Sequence, residues 1–242
     1  MSKTARREVQ WLYGGAKVIS LGTHFRTSLG NKIFVALTGL GLAGFVFFHM
    51  VGNLQIFQGP KAINDYAAFL REMPILLWTA RAGLLGLVLL HIGLALRLAK
   101  QNCQARPIGY AVRRYREASV ASRTMAVSGL LLLLFIVFHL VHLTAGVIDP
   151  SFSEKLDLRG HRDVYSKMVH AFQNPWIVVA YLSAQIVLGL HLSHAVSSSF
   201  QTLGLEHPAL NRVLRAAGPT IALTVVTGNM AIVLAVMAGI VR

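Results

Sequence analysis

The segregation of charged residues constrains this 242-residue chain more than any other feature. Only 13% of the residues are charged, against about 25% in a typical soluble domain. Asp, Glu, Lys and Arg are absent from residues 33–60, 124–148, 168–205 and 216–241, and residues 73–96 contain a single one, Arg81. Each stretch can supply the roughly 20 apolar residues that a membrane-spanning helix needs. We therefore predict an all-α integral membrane protein, one domain over residues 1–242, with transmembrane helices at about 33–56, 75–96, 125–147, 176–200 and 219–241.

The formal charge of +14 predicts the orientation of the chain rather than a nucleic-acid partner. Most Lys and Arg lie before the first helix, between the second and third, and between the fourth and fifth, whereas the other connections mix both signs. Positive residues favour the cytoplasmic side, so we expect a cytoplasmic N-terminus and Arg242 outside. No apolar segment precedes Ile33, so we expect no cleavable signal peptide. Cys103 is the single cysteine, which excludes an internal disulfide and a c-type haem attachment motif.

Histidines occur inside four of the five predicted helices, where ionisable residues are rare and mark functional sites. With a rise of ~1.5 Å per residue from the inner end of each helix, His49 and His139 lie about 24–25 Å from the cytoplasmic side. His91 and His191 lie about 9–13 Å from it by the same measure. The histidines therefore form two layers roughly 14 Å apart, too far apart for a single metal ion.

Two haems, each held by two histidines, explain the two layers. Neutral imidazole is a good axial ligand for iron, and facing helices of a bundle can hold a macrocycle between them. The haems are expected to be b-type, bound by a bundle of the first four helices. A second histidine lies one turn beyond His139 and another beyond His191, at His142 and His194. Depth favours His139 over His142 as the iron ligand and leaves the choice of ligand between His191 and His194 open.

Basic and hydroxyl side chains near the two layers are candidates for contacts with haem propionates. Arg81 lies at the level of the outer histidines, about 24 Å from the inner side. Its guanidinium suits a propionate, although a long side chain can also extend to the outer interface. Near the inner layer, Arg26, Ser28 and Lys32 are further candidates. We find no internal repeat in the sequence.

With these residues in place, the chain resembles the diheme cytochrome b membrane anchor of succinate:quinone oxidoreductase (succinate dehydrogenase or fumarate reductase), of the single-subunit, five-helix type. The resemblance covers nearly the whole chain and rests on four segments: "TGLGLAGFVFFHMVGNLQIF", "VLLHIGLALRL", "SRTMAVSGLLLLLFIVFHLVHL" and "GLHLSHAVSSSFQTLGLEHP". It implies that His49 and His139 bind the outer haem iron and that His91 and His191 bind the inner one. It thus favours His191 over His194.

The resemblance also implies partners and an electron path. A flavoprotein with FAD and an iron–sulfur subunit would dock on the basic cytoplasmic face of this chain, in the cytoplasmic membrane of a bacterium or archaeon. Electrons from succinate oxidation, a step of the tricarboxylic acid cycle, would pass through iron–sulfur clusters to the inner haem, the outer haem and a quinone. Five-helix diheme members suggest menaquinone. Some relatives carry a glutamate two positions before the helix 4 ligand; Gly189 stands there in this chain, so a carboxylate proton path is not expected.

A quinone site needs a proton donor or acceptor beside a haem edge. If the site is near the outer haem, the candidates are Asp65, Tyr66 and Glu72 in the first outer loop and Asp149 at the outer end of helix 3. A site near the inner haem is an alternative. Two other functions are consistent with buried histidines: the diheme cytochrome of another quinone-linked dehydrogenase, and a histidine-lined transporter, which fits two layers poorly.

Overall fold

A computed structural model of the chain describes residues 27–105, 119–205 and 207–242. Within these ranges the secondary structure is helical, and five helices are long and apolar enough to cross a membrane. In chain order the helices are α1 (Ser28–Asn53), α2 (Pro60–Glu72), α3 (Pro74–Gln104), α4 (Val120–Arg123), α5 (Met125–His139), α6 (Pro150–Ser153), α7 (Val164–Ala171), α8 (Pro175–Thr202) and α9 (Asn211–Met237). The five long ones are α1, α3, α5, α8 and α9. The predicted all-α, multi-pass architecture is confirmed.

Two spanning helices extend about two turns beyond the bounds that the charge pattern predicts. α3 continues to Gln104 instead of ending near residue 96, and α9 begins at Asn211 instead of near residue 219. The extra residues include charged and amide side chains, yet Arg, Lys, Gln and Ala are good helix formers. Charge therefore marks where a helix leaves the apolar layer, and the helix itself continues beyond that point.

The third spanning helix changes its geometry at the outer histidine level. Regular α-helix ends at His139, and residues Leu140–Thr144 form a π turn in place of the predicted continuous helix to residue 147. Gly146 ends this segment in the left-handed region at φ 68°, which a residue without a Cβ adopts at little cost. π turns inside helices often occur at functional sites.

The spanning helix without histidine, α9, packs closely on the bundle because it carries small residues at its contacts. A Cβ on Gly218 would overlap the Ser193 carbonyl of α8, and one on Gly228 would overlap the Met50 sulfur of α1. Close approach through small residues is the usual way for membrane helices to associate. Asn229 of α9 also donates from Nδ2 to Gln185 Oε1 of α8 at 3.0 Å.

Pro219 lies inside α9 and removes one backbone donor. In a regular helix its N–H would bond the carbonyl four residues earlier, which is that of Arg215. The Ser197 hydroxyl of α8 donates to this carbonyl at 2.9 Å. A side chain from the neighbouring helix therefore replaces the missing helical bond, as membrane proteins require where proline interrupts a helix.

The two long connections at the His49–His139 end of the bundle, which were predicted to lie outside, pack against each other. Asn64 of α2 is buried; its Nδ2 donates to Asp163 Oδ1 at 3.2 Å, and its Oδ1 accepts from the Tyr165 N–H at 3.0 Å. Asp65 pairs with Arg159 at 2.6 Å and with Lys61 at 2.9 Å. These contacts join α2 to the segment before α7 and form a polar cover over the outer end of the bundle.

Candidate cofactor site: two levels of histidines

The outer level contains His49 on α1 and His139 at the end of α5. Their ring centroids are 5.9 Å apart and the ring planes are at 89°. Phe45 stacks on His49 with centroids 5.4 Å apart, and Phe135 lies 6.0 Å from His139. Two helices that are far apart in sequence thus bring two imidazoles together in an aromatic, apolar setting.

The hydrogen bonds of the outer level define which nitrogen carries a lone pair. Asn53 Nδ2 lies 3.1 Å from His49 Nε2. An amide nitrogen only donates, so Nε2 of His49 accepts and is the unprotonated nitrogen. His139 directs Nδ1 at the Tyr181 hydroxyl at 3.2 Å, and this leaves its Nε2 facing away from that bond.

At the inner level, His91 on α3 and His191 on α8 each meet a hydroxyl from another helix. His91 Nδ1 lies 3.0 Å from Thr38 Oγ1 of α1. His191 Nδ1 lies 3.0 Å from Ser128 Oγ of α5. His91 thus lies against α1 and His191 against α5, the two helices that carry the outer histidines.

Each inner hydroxyl has its own proton committed to its own helix. Thr38 Oγ1 donates to the Phe34 carbonyl at 2.7 Å, and Ser128 Oγ donates to the Met125 carbonyl at 3.1 Å. The hydroxyl oxygen can then only accept from the imidazole, so Nδ1 must carry the proton. The lone pair is placed on Nε2, which is the arrangement that a metal-binding histidine needs.

The hydroxyl contacts also measure the separation of the two levels. Thr38 precedes His49 by 11 residues on α1, and Ser128 precedes His139 by 11 residues on α5. At ~1.5 Å per residue, the inner histidines lie about 16 Å along the bundle from the outer ones. This separation agrees with the rough figure expected from the sequence.

The matching intervals expose an internal repeat that the sequence analysis missed. Residues 38–49 read "TGLGLAGFVFFH" and residues 128–139 read "SGLLLLLFIVFH", with a hydroxyl residue and glycine at the inner end and histidine at the outer end. The glycines have a steric role: a Cβ on Gly39 would lie 3.2 Å from His91 Cε1, and one on Gly129 would lie 3.6 Å from His191 Cε1. The sequence feature that could have revealed this repeat is a hydroxyl–glycine dipeptide 11 residues before a histidine, which occurs in both segments.

The neighbouring histidines occupy different surroundings. His142 lies in the π turn, is 4% exposed and stacks on Phe138 with centroids 5.5 Å apart. Its Nδ1 lies 3.0 Å from the same Tyr181 hydroxyl that His139 contacts. On α8, it is His191 whose ring meets Ser128, whereas His194 lies one turn further along the helix.

The predicted propionate partners lie near the ends of the bundle. Arg81 is exposed on α3, with its guanidinium carbon 5.0 Å from the centroid of the Trp78 ring. Ser28 begins α1, and Lys32 follows one turn later; both are exposed. Arg26 lies outside the described residues.

The structure separates the four predicted quinone residues. The Arg159 and Lys61 hydrogen bonds to Asp65 lower the pKa of that carboxyl to about 2. Tyr66 packs its ring against Gly52, where a Cβ would lie 3.0 Å from the hydroxyl oxygen. Glu72, the last residue of α2, is exposed. Asp149 pairs with His170 of α7 at 2.5 Å.

A cavity of about 170 Å³ opens beside the Asp149–His170 pair. Its polar lining consists of His142, Asp149, Lys167, His170 and Asn174. Burial lowers the pKa of Lys167, and the positive charges of Arg162 and Arg71 lower it further, while Asp149 raises it. Asp149 was predicted from the sequence, whereas His170 and Lys167 were not, because they are distant from it along the chain.

The donor set suits haem better than a bare metal ion. Among the described residues, no three or more His, Cys, Asp or Glu side chains form a group that could hold a metal ion. Pairs of imidazoles are what a porphyrin requires, because its iron needs only two axial ligands from the protein. The committed Nδ1 protons of His91 and His191 fit this role. A Cβ on Gly44, Gly83 or Gly86 would meet no heavy atom within 4 Å, so these positions border open space beside α1 and α3.

Comparisons of the chain with protein-family models, with curated proteins and with solved structures find no match.

Proposed function

We propose that the chain is the membrane-anchor cytochrome b subunit of a succinate:quinone oxidoreductase and that it binds two b-type haems. His49 and His139 hold the outer haem, and His91 and His191 hold the inner haem. The observation that carries this proposal is the arrangement of four histidines from four helices at two levels, with His49 beside His139 at one level and with Thr38 and Ser128 bonded to Nδ1 of His91 and His191 at the other.

The residues of this chain have distinct tasks in the proposed function. The four Nε2 atoms would hold the iron of the two haems, that of His49 once it releases its contact with Asn53 Nδ2. Arg81 offers a positive charge at the outer level, and Ser28 and Lys32 offer polar groups toward the inner end. When bound, haem supplies one-electron transfer between donors and acceptors at different depths.

The proposed partners follow from orientation and charge. A flavoprotein with FAD and an iron–sulfur subunit dock on the basic cytoplasmic face, in the cytoplasmic membrane of a bacterium or archaeon. Electrons enter from that face and reach a quinone, with menaquinone as the proposed one. The N-terminus lies in the cytoplasm and Arg242 lies outside.

A pyridine haemochrome assay with protein quantification tests the proposal. The purified chain should contain two haems b, and His49→Ala and His91→Ala should each lose one, from different levels. His207→Ala is the matched control, because His207 is exposed in the connection before α9 and should leave both haems in place. A colourless wild-type protein would overturn the proposal.

The partner subunits distinguish this function from that of another diheme quinone-linked cytochrome. A flavoprotein and an iron–sulfur protein should co-purify with the chain from its own membranes. A molybdenum or nickel protein in their place would assign the cytochrome to a different dehydrogenase and contradict the succinate assignment.

A further inference from the structure

His49 differs from the other three proposed iron ligands in the nitrogen that makes its hydrogen bond. His91, His139 and His191 each meet a hydroxyl through Nδ1, which leaves Nε2 for iron. His49 instead meets Asn53 Nδ2 through Nε2, at 3.1 Å. This contact therefore occupies the nitrogen that would bind the iron of the outer haem.

A single lone pair on His49 cannot serve two partners at once. The amide nitrogen of an asparagine side chain donates and does not accept, so Nε2 of His49 is the acceptor in the contact with Asn53. Iron binds a neutral imidazole through the same lone pair. Asn53 and iron are therefore competitors for one atom.

The Asn53 side chain can leave the His49 ring without disturbing the helix. Asn53 is the last residue of α1 and precedes the 3-10 turn Leu54–Gln58, which its side chain does not cap. The residue is half-buried. A change of its side-chain rotamer would end the contact and leave the backbone hydrogen bonds of α1 intact.

The His49 ring is held in place by contacts other than Asn53. Phe45 stacks on it at an angle of 18°, with ring centroids 5.4 Å apart, and the His139 ring lies 5.9 Å away. His49 is also exposed, so there is open space beside its ring. Release of Asn53 would therefore free Nε2 without a movement of α1.

We propose that Asn53 controls the occupancy of the outer haem site by holding the Nε2 lone pair of His49. The proposal rests on the proposed function, because it needs His49 as an iron ligand. Asn53 turns away before Nε2 binds iron and returns when the iron leaves. Among the described residues, the inner histidines have no such competitor, since Thr38 and Ser128 meet Nδ1 there. Asn53 thus weakens the outer site and leaves the inner site unaffected.

Titration of the haem-depleted full chain with haemin, followed by absorbance, tests the competition. The chain carries His91→Ala, so that the outer site is the one measured. Asn53→Ala removes the donor and should tighten haem binding about two- to tenfold, the net value of one hydrogen bond. In Asn53→Asp an ionised carboxylate only accepts, so it favours a proton on Nε2 and should weaken haem binding. A residue that merely supported the fold would weaken binding in both variants.

The inner site provides the matched control. In a chain that carries His49→Ala, the inner site is the one measured, and Asn53→Ala should leave its affinity for haem unchanged. Unchanged or weaker binding by Asn53→Ala at the outer site, or an equal gain at the inner site, would overturn the proposal.

Nitrogen-15 NMR of the full chain with labelled histidine measures the contact itself, in protein without haem. The signals of His49 are identified as those that His49→Ala lacks. Nε2 should be the unprotonated nitrogen in the wild type, and Asn53→Asp should move the proton onto it. A wild-type His49 with its proton on Nε2 would overturn the proposal even if Asn53→Ala failed to fold.

The titrations separate this inference from the proposed function. Two haems in the wild type, with no gain from Asn53→Ala, would overturn the role of Asn53 and leave the cytochrome. A chain that binds no haem would overturn the cytochrome and, with it, the competition for His49.

Discussion

At the scale of single residues, the most informative feature is that two hydroxyls donate hydrogen bonds to their own helices. Thr38 and Ser128 bond carbonyls of their own helices and so present only lone pairs to His91 and His191. In isolation, a serine or threonine that bonds its own helix is an ordinary feature of membrane helices. Here the hydroxyl matters because a histidine from another helix bonds to it. The sequence alone does not show which histidine comes close to which hydroxyl.

Removal of one inner hydroxyl should weaken only the inner haem. In Thr38→Val the Nδ1 proton of His91 loses its acceptor, and loss of such an outer partner typically weakens metal binding about 10–100-fold. A titration of haem-depleted protein with haem, followed by its absorbance, should show one weakened site of two. Thr38→Ser keeps the hydroxyl and should bind both haems as the wild type does; equal weakening in both variants would contradict the tautomer argument.

The shared Tyr181 hydroxyl should affect only the outer haem. Tyr181→Phe removes the partner of both His139 and His142 but keeps the ring contacts. The midpoint potential of the outer haem should shift, and that of the inner haem should remain, in a redox titration followed by absorbance. A Ser128→Ala variant should give the opposite pattern, since its hydroxyl serves His191. A shift of both potentials in either variant would contradict the separation of the levels.

At the scale of helices, two irregular features depend on neighbours. The π turn after His139 and the proline inside α9 both leave the regular helical pattern, and each has its polar groups bonded again nearby. The sequence predicted five spanning helices because apolar length alone defines them. It placed the start of the fifth near residue 219 because the charge-free stretch begins close to it. The serine of α8 that permits a proline inside the helix could not be anticipated without the packing.

The Ser197–Pro219 arrangement predicts a coupled effect on stability. Ser197→Ala leaves the Arg215 carbonyl without its donor and should lower the free energy of unfolding by about 0.6 kcal/mol, and by no more than about 1.7, as for other hydrogen bonds in membrane bundles. With Pro219→Ala in the background, the helix can bond that carbonyl itself, and Ser197→Ala should cost less. Unfolding in mixed micelles of a mild detergent and SDS measures both; equal costs in both backgrounds would exclude the coupling.

At the scale of the whole molecule, the bundle is closed at its outer end by ion pairs and hydrogen bonds between two connections. The positive-inside pattern predicted that these two connections share one side of the membrane, but not that they meet. Asp65 was predicted as a quinone residue, and the structure places it in this cover with Arg159 and Lys61. The cavity could not be predicted from the sequence for the same reason, because Asp149 and His170 come together only in the folded chain.

The outer cover should loosen in acid. The pKa of Asp65 is lowered from 3.8 to about 2, so its ion pairs stabilise the fold fully above about pH 4 and are lost as the pH falls through about 2. Asp65→Asn should speed hydrogen exchange in residues 61–72 and 155–166 at pH 7, and the difference from the wild type should vanish near pH 2. Asp65 is exposed, so a small effect is expected, and an identical exchange rate at pH 7 would exclude the tie.

The 11-residue interval between hydroxyl and histidine has a consequence for the membrane voltage. It sets the two levels about 16 Å apart, roughly half of the ~30 Å hydrocarbon core. A full crossing by one elementary charge is worth about 2.3 kcal/mol per 100 mV, so an electron moved between the levels would exchange about half that amount with the field. An inside-negative voltage would draw electrons toward the outer level, and the register of α1 and α5 would set how strongly the respiring cell's own potential biases the proposed electron transfer.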